Sequence, residues 1–92
     1  MKLNFEEWVA NNKHLLVPPV SNHLLFAEDG FVVMAVGGPN QRSDYHINPT
    51  PEFFHQHIGT LTLKTIQDRK HVNVVVSPGE MFMLPSGISH CP

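Results

Sequence analysis

Short strand-like runs separated by turn residues constrain the fold of this chain more than any other feature. Residues 31–36 (FVVMAV) form a continuous apolar run, while residues 60–66 (TLTLKTI) and 71–76 (HVNVVV) alternate between apolar and polar side chains. Runs rich in β-branched residues with a period of two are typical of strands, and clusters of Gly and Pro break them. Several such strands, spaced about 8–12 residues apart, predict an all-β sandwich or barrel.

One helix is expected to precede the strands. Asn4 is placed to cap it, and the helix is predicted to run to about His14 with Phe5, Trp8 and Val9 on one face. The continuous apolar run is expected to form a strand that is buried on both faces, or nearly so. The predicted strands are residues 22–28, 31–36, 41–46, 52–58, 60–66, 71–76 and 80–84.

Length and composition indicate one small globular domain, residues 1–92, because 41% of the residues are hydrophobic and few are charged. The net charge of −2 provides no basic surface for nucleic acid. Nothing approaches the run of about 18 apolar residues that a membrane span requires. The N-terminus carries acidic residues where a signal peptide needs apolar ones, so secretion is not indicated. A single cysteine, Cys91, fits a reducing compartment.

Histidine is frequent in this chain, with seven residues against six Lys and Arg combined. His46, Glu52 and His90 are the candidate metal ligands. Two imidazoles and one carboxylate form the facial triad that holds non-haem Fe(II) with open positions. The same set can bind zinc with an open water position, so ligand type alone leaves iron and zinc open. Each residue taken singly also has an ordinary interpretation as a packed or surface side chain.

The predicted strand at residues 41–46 places Arg42, Asp44 and His46 on one face, because strand side chains alternate. Three polar side chains on one face are costly in a core unless they pair or bind a ligand. This face is therefore expected to line the interior of a barrel.

The first of two longer motifs begins at Gly38, which is followed by five residues and then Asp44 and His46. Glu52 follows, and Gly59 comes after six further residues. This order is similar to the first cupin motif, although Asp44 replaces a histidine and the gap before Glu52 is longer.

The second motif consists of four residues whose spacing matches the second cupin motif throughout: Gly79, Pro85, Gly87 and His90. Both motifs in order, separated by a hairpin segment, resemble the cupin superfamily. That resemblance implies a jelly-roll barrel, also called a double-stranded β-helix.

The segment GGPNQRSDYH at residues 37–46 is far more specific than the cupin pattern, and EFF at residues 52–54 accompanies it. These segments resemble the 3-hydroxyanthranilate 3,4-dioxygenase family, in which the D-x-H replacement is usual. The resemblance implies cytoplasmic, Fe(II)-dependent ring cleavage on the route from tryptophan to quinolinate and NAD. It implies 3-hydroxyanthranilate and O2 as substrates, and suggests a homodimer.

The same resemblance implies roles for individual residues. His46, Glu52 and His90 would hold the iron, and Glu52 would also contact the substrate. Arg42 would lie beside the dioxygen position, where its fixed positive charge stabilises developing negative charge. Asp44 would orient Arg42 or relay a proton.

Three features depart from the family pattern. His55 stands where tyrosine is usual, and strand alternation directs it away from Glu52. Cys91 stands where serine or asparagine is usual, and it is not expected to be a ligand. Family members also continue past the position of His90, with an arginine and a glutamate that contact the substrate and with strands that close the barrel.

The expected fold is therefore an all-β cupin barrel with a short N-terminal helix, lacking its C-terminal strands. Two functions remain open: the dioxygenase, and a truncated, catalytically impaired metal-binding cupin fragment. A third possibility is a chain that cannot hold a stable fold alone.

Overall fold

A computed structural model of the chain describes residues 1–17, 21–39 and 43–91. One short helix and seven strands form in these residues, which confirms the predicted all-β fold with a short N-terminal helix. The chain divides into two compact units, Met1–Gln41 and Arg42–Pro92. No helical segment of the described residues is long and apolar enough to cross a membrane. The elements are α1 (Phe5–Asn12), a 3-10 turn (Lys13–Leu15), β1 (Asn22–Glu28), β2 (Phe31–Val36), β3 (Glu52–His55), β4 (Leu61–Gln67), β5 (Lys70–Val76), β6 (Met81–Leu84) and β7 (Ser89–Cys91).

Helix α1 begins as predicted, because the side-chain oxygen of Asn4 accepts a hydrogen bond of 3.0 Å from the Glu7 N–H. On its apolar face Val9 is buried, and the Trp8 ring lies 5.3 Å from the His23 ring of β1. The helix ends at Asn12, before the predicted end. There the Asn12 side chain donates to the Trp8 carbonyl at 2.8 Å, a local bond that competes with further helix.

Strands β1 and β2 form an antiparallel hairpin in the first unit. The predicted burial of β2 on both faces is wrong: Phe31 is 71% exposed and Val36 64% exposed, while Ala35 is buried. The physical reason is that β2 pairs with β1 alone in the described part of the chain, and a two-stranded sheet shields little surface.

The second unit contains a two-stranded sheet, β3–β6, and a three-stranded sheet in the order β5–β4–β7. The predicted β4–β5 hairpin is confirmed. Its two-residue turn has positive φ at both Asp68 (50°) and Arg69 (64°), as the turns favoured in tight hairpins require. Both sheets contribute to the core, whose largest fully buried side chains are Leu63, Leu84, His90, Thr65 and Cys91. A histidine at the centre of so small a core calls for a chemical explanation.

Two predicted strands differ from those observed. Residues 43–46 form no strand, and within them His46 makes an isolated bridge to His90. The strand predicted for residues 52–58 ends at His55. Beyond the strand, the Gln56 side chain donates a hydrogen bond of 2.9 Å to the Ile58 carbonyl.

Strand β7 lies beyond the strands that the sequence predicts, the last of which covers residues 80–84. Its three residues pair with β4 through the partners Lys64–Cys91, Thr65–His90 and Ile66–Ser89. Ser, His and Cys carry no strand-like alternation, so this strand exists through its pairing with β4 and not through local preference.

Candidate metal centre

His90 lies in β7, where it pairs with Thr65 of β4 on one side. On the other side it faces His46: the His46 N–H donates to the His90 carbonyl at 2.9 Å, and the His90 N–H donates to the His46 carbonyl at 3.0 Å. Such reciprocal bonds define a directly opposed antiparallel pair, whose side chains share a face. The two imidazole rings accordingly lie 4.2 Å apart, tilted by 57°.

The ring of His90 is 1% exposed, and its Nδ1 lies 3.0 Å from the Ile88 carbonyl oxygen. A carbonyl oxygen only accepts hydrogen bonds, so Nδ1 carries the proton and donates it there. The other ring nitrogen, Nε2, then presents a lone pair. A backbone bond at one nitrogen that frees the other as an electron-pair donor is the usual arrangement of a metal-binding histidine.

The Nε2 atom of His90 is buried and has no hydrogen-bond partner among the described residues. Oε2 of Glu52 lies 3.3 Å from it. With the proton on Nδ1, two electron-pair donors face each other, which is unfavourable unless a proton or a cation lies between them. An imidazole and a carboxylate are both donors that divalent metals accept, so this pair fits a metal ion.

Glu52 is the first residue of β3 and pairs with Leu84 of β6. Along β3, Glu52 and Phe54 are half-buried, whereas Phe53 and His55 are exposed. This alternation confirms that His55 faces away from Glu52. The Glu52 side chain is 42% exposed, so it can contact the protein interior and a ligand at the same time.

Two contacts therefore form among the three predicted ligands: His46 lies against His90, and Glu52 lies against His90. Across residues 1–17, 21–39 and 43–91, no three His, Cys, Asp or Glu side chains are grouped so that they could hold a metal ion. The complete three-ligand set of His46, Glu52 and His90 stays a prediction.

The predicted interior face at residues 41–46 is wrong for its described members, because Asp44 and His46 are both exposed. The single bridge of His46 provides no strand along which side chains could alternate. Arg42 lies outside the described residues, so its placement beside a dioxygen position stays a prediction.

Sequence reasoning missed Asn48, which lies between the predicted strands at residues 41–46 and 52–58. Its side-chain Nδ2 donates to Oε2 of Glu52 at 3.3 Å, and its backbone carbonyl accepts a bond of 2.9 Å from the Gly87 N–H. An amide side chain four residues from a candidate ligand was the available signal, but nothing local distinguishes it from an ordinary turn residue.

The short antiparallel sheets, the short helix and the buried histidine facing a glutamate together define a partial cupin fold with a candidate metal centre. The family model for 3-hydroxyanthranilic acid dioxygenase matches residues 1–92. The chain belongs to this family, and membership of it implies a metal cofactor.

Several curated proteins are similar in sequence to this chain. A protein of Mycosarcoma maydis is 52% identical over 93 residues, covering 100% of this chain and 51% of the relative. A protein of Lodderomyces elongisporus is 50% identical over 90 residues, covering 98% and 51%. A protein of Coccidioides immitis is 43% identical over 99 residues, covering 98% and 52%. All three are named 3-hydroxyanthranilate 3,4-dioxygenase, and the chain spans about half the length of these relatives.

Proposed function

We propose that this chain supplies the metal centre for oxidative ring opening of 3-hydroxyanthranilate, the reaction for which its relatives are named. The observation that carries the proposal is the buried, unpartnered Nε2 of His90, 3.3 Å from Oε2 of Glu52 in the described residues. Such a pair is favourable only with a proton or a metal cation between its atoms, and the family to which the chain belongs implies a metal cofactor.

In the proposed reaction the bond between carbons 3 and 4 of the ring breaks, and both atoms of O2 enter 2-amino-3-carboxymuconate semialdehyde. The ring loses four electrons and O2 gains four, so no further reductant is needed. When bound, Fe(II) would provide open positions that bring substrate and O2 together and let electrons pass between them. Zinc accepts the same ligands but undergoes no redox change, which favours iron here.

Three residues of the chain would each contribute a different group to the proposed metal centre. His90 offers the lone pair of Nε2 from a ring whose orientation the Ile88 carbonyl holds. Glu52 offers a carboxylate whose partial exposure suits contact with the substrate as well. His46 brings a second imidazole, tied to His90 by two backbone hydrogen bonds.

Arg42 and Asp44 have proposed roles that rest on the family resemblance. Arg42 would stabilise negative charge that develops on oxygen, since a guanidinium group stays charged at all working pH values. Asp44, which precedes His46 by two residues, would orient Arg42 or relay a proton.

Anaerobic loading with Fe(II), followed by addition of 3-hydroxyanthranilate and oxygen, tests this proposal. Absorbance from the semialdehyde is expected with the unaltered chain and with His55→Ala, an exposed histidine on β3, but not with His90→Ala. Iron bound at His90 without any product would overturn the catalytic proposal for this chain.

A second candidate function is metal binding without turnover. The observation that favours it is the contact of His90 with both His46 and Glu52 in the described residues, because these donors suit a divalent metal whether or not a reaction follows. Fe(II) bound with His90-dependent affinity and no product would support it, while product formation would remove it.

The location, pathway and assembly of the protein are proposed on its resemblance to the dioxygenase family. We propose that the protein acts in the cytoplasm on the route from tryptophan to quinolinate and NAD, and that it forms a homodimer. Cell fractionation and sedimentation analysis test location and assembly, and a monomer at all concentrations would contradict the dimer.

A further inference from the structure

We infer that Asn48 is a positioning residue that turns the Glu52 carboxylate toward His90 and so sets the affinity of the site for a divalent cation. The inference rests on the proposed metal centre and goes beyond it, since it concerns a residue that is not itself a ligand.

One oxygen atom receives both contacts. Nδ2 of Asn48 lies 3.3 Å from Oε2 of Glu52, and the same Oε2 lies 3.3 Å from Nε2 of His90. Glu52 has several rotatable bonds and is 42% exposed, so many rotamers are open to it without a partner. The hydrogen bond from the Asn48 side chain selects a rotamer of Glu52 in which the carboxylate contacts the imidazole of His90.

Asn48 is itself held in place by its backbone. Its carbonyl accepts a bond of 2.9 Å from the N–H of Gly87, in the turn that leads into β7 and His90. The hydrogen bond from Gly87 therefore fixes Asn48 to the same backbone segment that carries His90. Asn48 also follows His46 by two residues. It is therefore close, in sequence or through a hydrogen bond, to the segments that carry all three predicted ligands.

The amide group suits this position chemically. It donates a hydrogen bond to the carboxylate without adding charge, so Glu52 keeps its full negative charge for a cation. Loss of such a supporting bond typically lowers metal affinity by about 10–100-fold.

Titration with Co(II), followed through its visible absorption, tests the inference on the full chain. Asn48→Ala and the near-isosteric Asn48→Leu are expected to weaken Co(II) binding by about tenfold or more and to alter the spectrum. Asn73→Ala, at an exposed position of β5, is the matched control and should bind as the unaltered chain does.

Hydrogen exchange separates positioning from a structural role. Both Asn48 variants keep the backbone carbonyl, so the Gly87 and His90 amides should stay protected. Loss of that protection together with loss of affinity would make Asn48 merely structural and overturn the inference. In the metal-free chain, Glu52→Ala should shift the NMR signals of the Asn48 side-chain amide, and unchanged signals would also overturn it.

The two proposals fail in different ways. Equal Co(II) affinity of the unaltered chain and Asn48→Ala would overturn the role of Asn48 and leave the metal centre standing. No Co(II) binding by the unaltered chain would overturn both.

Discussion

Oε2 of Glu52 and Nε2 of His90 lie 3.3 Å apart and belong to different sheets, β3–β6 and β5–β4–β7. The Ile88 carbonyl holds the proton of His90 on Nδ1, so the facing atoms both present lone pairs. The contact is therefore unfavourable unless a proton or a metal cation lies between the two atoms. Stabilisation by added metal distinguishes a metal centre from a histidine–glutamate ion pair.

Glu52→Gln should change the stability of the metal-free chain and that of the Co(II)-bound chain differently. In the metal-free chain the glutamine amide can donate to Nε2 of His90, so the melting temperature should stay level or rise by the equivalent of about 1 kcal/mol. Stabilisation by added Co(II), clear in the unaltered chain, should shrink in the variant because the carboxylate is gone. Thermal denaturation with and without Co(II) measures both effects, and a lower metal-free melting temperature would contradict this reading.

His90→Ala should abolish divalent metal binding and lower the free energy of unfolding by about 2–4 kcal/mol, because it leaves a cavity at a fully buried position. Chemical denaturation and Co(II) titration measure the two losses. The control His55→Ala, at an exposed position of β3, should change stability by less than about 0.5 kcal/mol. Retained Co(II) affinity in His90→Ala would exclude His90 as a ligand.

Arg69→Gly should stabilise the β4–β5 hairpin by about 0.5 kcal/mol. Arg69 has a φ of 64°, which costs an L-residue energy that glycine avoids, and Asp-Gly is a favoured pair for this turn. Lys70→Gly, one residue further and inside β5, should instead destabilise by about 0.5–1 kcal/mol. Urea denaturation of both variants checks the opposite signs, and equal signs would refute the turn assignment.

Gly37→Ala should destabilise the first unit by about 1–3 kcal/mol, because the added Cβ would overlap the backbone carbonyl of Leu16. Gly30→Ala is the matched control: φ there is +81°, but nothing lies within 4 Å of the new Cβ. Its cost should be limited to backbone strain of about 1 kcal/mol. Hydrogen exchange of the β1 and β2 amides measures both, and a larger loss for Gly30→Ala would contradict the expected overlap.

Much of the local structure was predictable because its causes lie within a few residues. The capping bond of Asn4, the β4–β5 hairpin and the outward direction of His55 all follow from neighbouring residues and strand alternation. The choice of His46, Glu52 and His90 as candidate ligands likewise came from residue type and spacing. Two of the contacts between them are present in the structure.

Other features depended on partners that are distant in the chain. β7 exists because β4 pairs with it, and the expected strand before His46 is reduced to one bridge. Four of the six apolar residues of β2 are exposed because a two-stranded hairpin does not cover them.

The sequence by itself determined the donor atoms available to this protein and the local elements that carry them. The tertiary structure decided which donors meet: it brings Oε2 of Glu52 in β3 to 3.3 Å from Nε2 of His90 in β7, two segments that are far apart in the chain. The physical reason is that alternation, capping and the bonds of Asn48 to Glu52 and of His90 to Ile88 join residues at most four positions apart. Donors from distant segments meet only when their sheets fold against one another.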